Sequence, residues 1–173
     1  ASEWNINKFT NNRFKNIKLN ENATPIFSDK TYPINKKDFL NSEILEDQTL
    51  LIFENNMTFE FSDFKEHKFK KILLVLNDTN RTIKLSEKVL KFKANLLDDQ
   101  KTRLEEKLIN CETININDLK NITEEVYALY PTVGENLDFI QNNQLKNIKF
   151  LYRKLDQFSW QYCNKGFFNF KNY

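Results

Sequence analysis

The chain has 173 residues and a mass of 20.8 kDa, the size of one domain, with 40% hydrophobic residues, 29% charged residues and a net charge of only +2. That balance excludes an intrinsically disordered chain, and no apolar run approaches the ~18 residues that a membrane span needs. Two glycines and three prolines leave little material for glycine-rich phosphate loops or nucleophile elbows. Most cofactor-enzyme templates lose their main element on that account, and no cofactor is expected.

Residues 1–30 are rich in asparagine and mildly basic, with no sustained hydrophobic period, and read as an extended arm. The first clear β signal is Thr49 to Glu54, then Asn55-Asn56, then Met57 to Ser62. Two apolar stretches flanking an asparagine pair predict an antiparallel hairpin, with Leu50, Ile52, Phe59 and Phe61 on its core face and Leu51 and Phe53 on the other. Ile72 to Leu76, closed by Asn77-Asp78, is a short continuous apolar run that suits a strand covered on both faces.

From Ser86 the period becomes helical, with Val89, Phe92 and Leu96 followed by Leu97, Leu104 and Leu108, and a break expected near Asp98-Asp99. Asn117 looks like the N-cap of a further helix whose stripe is Leu119, Ile122, Val126 and Leu129, ended by Pro131. The last long element, Gln141 to Cys163, carries Ile148, Leu151, Leu155, Phe158 and Tyr162 at helical spacing, with Gly166 at its stop. The division is thus an arm over 1–30, a β-rich part over 31–80 and a helical part over 81–173, forming one compact unit. The fold class expected is α+β: a small, mostly antiparallel sheet packed on three or four C-terminal helices.

Cys111 and Cys163 lack the paired spacing of a metal cluster and the density of a disulfide framework. They read as free thiols, which favours an intracellular setting while leaving secretion open. The one histidine, His67, lies in the charged stretch Asp63 to Lys68, where a solvated surface role outweighs a general base without a nucleophile beside it. Glu66 and Lys68, with Asp47, Glu54 and Glu60 upstream, form the carboxylate and lysine set of a metal-dependent nuclease only in outline. No catalytic or metal-binding residue is assigned.

Charge is distributed unevenly. Between Leu97 and Phe139 ten acids face four bases, whereas from Gln144 onward six bases face one acid, Asp156. On a helical wheel Lys146, Lys149, Phe150, Arg153, Gln157 and Trp160 gather opposite the core stripe of the last element. Two aromatics among cations mark either a binding face or a surface covered by the arm or the Phe167 to Phe170 tail. The reading favoured is a non-enzymatic interaction module, a complex subunit, adaptor or inhibitor-like protein with a protein partner. A nucleic-acid-binding accessory protein using the same face is the alternative, weakened by the small net charge, and a nuclease comes third. No membrane partner is expected.

Overall fold

In the computed structural model, residues 41, 43–78, 84–160 and 162 are described below. The expected arm over 1–30, the tail at Phe167 to Phe170, and Cys163 lie outside them. Among the described residues the strands are β1 (Thr49–Phe53), β2 (Lys71–Leu76), β3 (Cys111–Asn115), β4 (Val126–Leu129) and β5 (Ile148–Leu151). They form one sheet in the order β3-β2-β1-β4-β5, and every pairing is parallel. This overturns the expected antiparallel sheet. The fold is α/β, and helices and strands alternate along the chain instead of segregating into halves.

The hairpin fails for a reason visible in burial. Leu50, Leu51, Ile52 and Phe53 are all wholly buried, so β1 is covered on both faces, the signature of an internal parallel strand. Leu50 and Ile52 join one core with Ile72, Leu74, Leu97 and Leu104. Leu51 and Phe53 join the other with Leu73, Val75, Phe139 and Ile140. Asn55-Asn56 does make a tight turn, closed by the Asn56 N–H on the Phe53 carbonyl at 2.8 Å. Both edges of β1 are already taken by β2 and β4, so the chain leaves the sheet, and Phe59–Phe61 is a 3-10 turn with Phe61 exposed.

Helix α1 (Glu87–Glu106) runs unbroken through Asp98-Asp99. Its buried positions Leu97, Gln100 and Leu104, with the nearly buried Lys93, recur at i, i+4, i+7 and i+11. The stripe read from the sequence, Val89, Phe92 and Leu96, lies beside this one, and Val89 and Phe92 are exposed. Leu108, with φ at 58°, turns the chain out of the helix toward β3.

The helix expected from Asn117 is a 3-10 turn, Ile116–Asn121, followed by β4. Its cap is Asn115, whose Oδ1 accepts from the Asn117 N–H at 3.0 Å while Asp118 Oδ2 accepts from the Asn115 N–H at 3.0 Å. Val126, Tyr127, Ala128 and Leu129 are then buried on both faces, which a one-sided helix would not produce.

The long C-terminal helix is also replaced. Helix α2 (Glu135–Asn142) ends before Gln144, whose φ of 52° breaks the helical path. Asn147 donates to the Ile122 and Glu124 carbonyls at 2.9 Å each, turning the chain into β5. Helix α3 (Lys154–Trp160) follows, its first N–H held by Asp63 Oδ2 at 2.6 Å. The Ile148, Leu151, Leu155 spacing that suggests one helix is shared between a strand and a short helix. The outer edge of β5 is closed beyond its end by Asn41, whose amide accepts from the Tyr152 N–H at 2.7 Å and donates to the Tyr152 carbonyl at 2.8 Å.

The segment between β1 and β2 and helix α1 pack on one face of the sheet, and the 3-10 turn after β3 and helix α2 pack on the other. Winding therefore reverses between β1 and β4. The first of these connections is pinned by Glu60, whose Oε1 accepts from Arg103 Nε at 2.9 Å and Gln100 Nε2 at 3.0 Å. Burial pushes the Glu60 carboxyl up, but its own backbone N–H, Arg103 and Gln100 outweigh that and hold it below the usual carboxylate range.

A depressed folded pKa means that stability from this contact is complete above the unfolded pKa and is lost as pH falls through the folded one. Arg103→Met is expected to cost about 1 kcal/mol at neutral pH, the upper range for a partly exposed pair. That difference from the parent should shrink as pH falls through the carboxylate range, measured by urea titration at several pH values. A constant difference down to acid pH would show that Arg103 acts through packing alone.

Candidate functional site

In a doubly wound sheet, ligands sit outside the carboxyl ends of the strands where the winding reverses, here between β1 and β4. The order 3-2-1-4-5 is shared with the first five strands of the six-stranded dinucleotide-binding sheet. In that fold a glycine-rich turn and a helix N-terminus follow β1 and cradle phosphate. Here β1 leads into Glu54-Asn55-Asn56 and a three-residue 3-10 turn, so that cradle is missing.

What occupies the crevice is the protein itself. Glu54 follows β1, Asn77 follows β2, and Glu135 and Asn136 open α2. Lys93 reaches into this group from α1. Its Nζ donates to Glu54 Oε1 at 2.7 Å, Glu135 Oε1 at 2.6 Å and the Asn77 carbonyl at 3.1 Å, using all three ammonium hydrogens. Asn77 Nδ2 donates to Asn136 Oδ1 at 2.8 Å, and Asn136 Nδ2 reaches Glu54 Oε2 at 3.4 Å. The Glu54 and Lys93 side chains are 5% and 13% exposed. Burial would lower the Lys93 pKa, but the hydrogen bonds from Glu135 and Glu54 and their charges outweigh it and raise it, so the ammonium stays charged.

The mouth between the two strands is tied as well. Asn55 Nδ2 donates to the Pro131 carbonyl at 2.6 Å, and Asn56 Nδ2 to the Tyr130 carbonyl at 3.1 Å. These bonds link the loop after β1 to the chain leaving β4. Beside them Tyr130, Phe150, Tyr152 and Trp160 form an aromatic cluster, Phe150 and Trp160 edge-to-face on Tyr130 and Tyr152 tilted against it, with ring centroids 5.0 to 5.6 Å from Tyr130. Burial pushes both phenols of Tyr130 and Tyr152 up.

The six residues read from the sequence as one helix face do not share one. Lys146 lies in the turn before β5, and Lys149 and Phe150 are neighbours on β5 and point to opposite faces of the sheet. Arg153 follows β5, and Gln157 and Trp160 belong to α3. Phe150 and Trp160 are brought together by Tyr130 and are both half-buried. Lys149 pairs with Glu125 at 2.8 Å and Arg153 with Asp156 at 2.7 Å. A strand in place of a helix therefore puts Lys149 and Phe150 on opposite faces, while Arg153, Gln157 and Trp160 keep helical spacing at α3.

The nuclease outline is dispersed. Asp47 precedes β1 and Glu54 follows it, at opposite ends of the same strand. Glu60 is bound to Arg103 and Gln100, and Glu66 is exposed beside Lys65. His67 Nε2 lies 3.2 Å from the Leu45 carbonyl, with its ring tilted against Phe69. Cys111 is a free, half-buried thiol whose pKa is pushed up by burial and then by Glu105. Among the described residues no cluster of three or more His, Cys, Asp or Glu side chains could hold a metal ion, and no helix is long and apolar enough to cross a membrane.

The sequence reading missed Lys93, Asn77 and Asn136. The signal available was a polar residue directly after each continuous apolar run, Glu54 after Leu50 to Phe53 and Asn77 after Ile72 to Leu76. In a parallel sheet those positions share the carboxyl edge. The architecture is thus a doubly wound α/β domain with its crevice closed by an ion-pair network. No protein-family model, curated protein or solved structure matches the chain.

Proposed function

We propose that the chain acts as a non-catalytic interaction module, a subunit or adaptor that serves a protein partner through its surface. The observation that carries this reading is the Lys93 ammonium, fully hydrogen-bonded to Glu54, Glu135 and Asn77 at the point where this architecture otherwise receives a ligand. The ties from Asn55 and Asn56 across the same mouth add support. The nucleic-acid alternative is weakened because Lys149 and Arg153, two of its phosphate contacts, are already paired with carboxylates.

The test is thermal melting with ATP, NAD and FMN in turn. A ligand at a hundred times its Kd adds about 2.7 kcal/mol, which raises the Tm of a domain this size by roughly 5 to 10 °C. None of the three is expected to move it. A shift of that order with any of them would replace the module by a nucleotide-binding protein.

A further inference from the structure

Helix α1 carries two stripes, about 80° apart on a wheel of 100° per residue. Lys93, Leu97, Gln100 and Leu104 face the sheet. Val89, Phe92 and Leu96 form the second, in which Phe92 is 63% and Val89 41% exposed. On its solvent side stand Lys88 and Lys91, with Lys84 just before the helix, all exposed. Among the described residues none of these three lysines forms an ion pair, unlike Lys71, Lys93, Lys101 and Lys149. Glu87, the one acid of the first turn, lies farther round, beyond Lys91.

We propose that this part of α1 docks an acidic segment of a protein partner, with an apolar side chain of the partner seated on Phe92 and Val89 and its carboxylates on Lys84, Lys88 and Lys91. The inference rests on the interaction-module reading and names the partner's chemistry. An exposed aromatic flanked on its solvent side by cations that pair with no described carboxylate has the anatomy of a protein interface, and its charge calls for acids opposite. Insertion into a lipid surface fits less well. The helix is held on the sheet by Leu97 and Leu104, and only Val89 and Phe92 protrude from it, far less apolar face than an interfacial helix buries. Nucleic acid fits less well too, since three lysines without a second exposed aromatic offer neither a long phosphate track nor a stacking platform.

The probe is a fluorescently labelled peptide of alternating Glu with Leu and Phe, with the same peptide carrying Gln for Glu as control, read by anisotropy. The acidic peptide should bind and its Gln counterpart should not. Phe92→Ala should weaken binding by about thirtyfold, as for a hot-spot aromatic. Lys88→Glu with Lys91→Glu should weaken it further at low salt than at high salt. Both variants should melt where the parent does, because the substituted side chains are exposed.

No binding of the acidic peptide, or binding that neither variant alters, overturns the proposal. So does a lowered Tm for Phe92→Ala, which would place that ring inside the protein's own packing. Capture of phosphatidylserine vesicles or a single-stranded oligonucleotide in place of the peptide overturns it in favour of that ligand. The nucleotide melting test does not involve Phe92, so failure of the module reading and failure of this surface are told apart.

Discussion

Lys93→Met is expected to lower stability by about 3 kcal/mol at neutral pH, the low end of the range for removing one partner of a buried charge pair. For a domain this size that is a fall in Tm of roughly 6 to 12 °C. The cause is what the ammonium leaves behind. Glu54, 5% exposed, would keep only the long contact from Asn136. Glu54→Gln added to Lys93→Met removes the uncompensated charge and should restore more than half of the loss. In the parent, the raised Lys93 pKa means that this contribution is complete below the unfolded lysine pKa and is lost only as pH rises through the folded one. Urea titrations of the three proteins across pH measure all of this. An unchanged midpoint in Lys93→Met would mean that the network adds nothing to stability and only fills the crevice.

The elements legible in the sequence were those whose local pattern and tertiary burial agree. Lys71–Leu76 reads as a doubly covered strand because its apolar run is continuous and ends at Asn77-Asp78. The same rule applied to Leu50 to Phe53 gives a second internal strand, but the asparagine pair that follows is also a hairpin signal, and that local turn chemistry points to the wrong topology. Parallel pairing is non-local: β1 meets β4 77 residues away, at Leu50↔Tyr127, and no window of sequence contains that contact.

At the C-terminus the error runs the other way. Ile148, Leu151 and Leu155 fall at helical spacing, yet Asn142-Asn143 and Asn147 are turn residues of the same kind as Asn55-Asn56, and here they do mark the change of element. The misread period is also why the candidate face dissolved, since residues adjacent on a wheel alternate across a strand. Lys93 was hidden because a lysine in a helix reads as solvated, and only the three acceptors gathered from β1, β2 and α2 give it a reason to be inside.

Phe53→Ala and Phe61→Ala separate the two topologies most sharply, because a hairpin and a parallel sheet assign the two rings opposite environments. In a hairpin closed by Asn55-Asn56, Phe61 packs on the core face with Leu50, and Phe53 points the other way. In the parallel sheet Phe53 is wholly buried between β2 and β4 among Leu51, Val75, Ala128 and Phe139, while Phe61 is 90% exposed. Phe53→Ala should therefore cost about 3 to 5 kcal/mol, the transfer of the ring plus the cavity it leaves in a core that strands on both sides prevent from collapsing. Phe61→Ala should stay within about 0.5 kcal/mol of the parent, as surface changes do. Urea denaturation reads both as shifts of the midpoint at constant slope, the slope guarding against a variant that has lost its compact state. A large loss at Phe61 with little at Phe53 would restore the antiparallel hairpin. It would also remove the winding reversal on which the crevice at Lys93 depends.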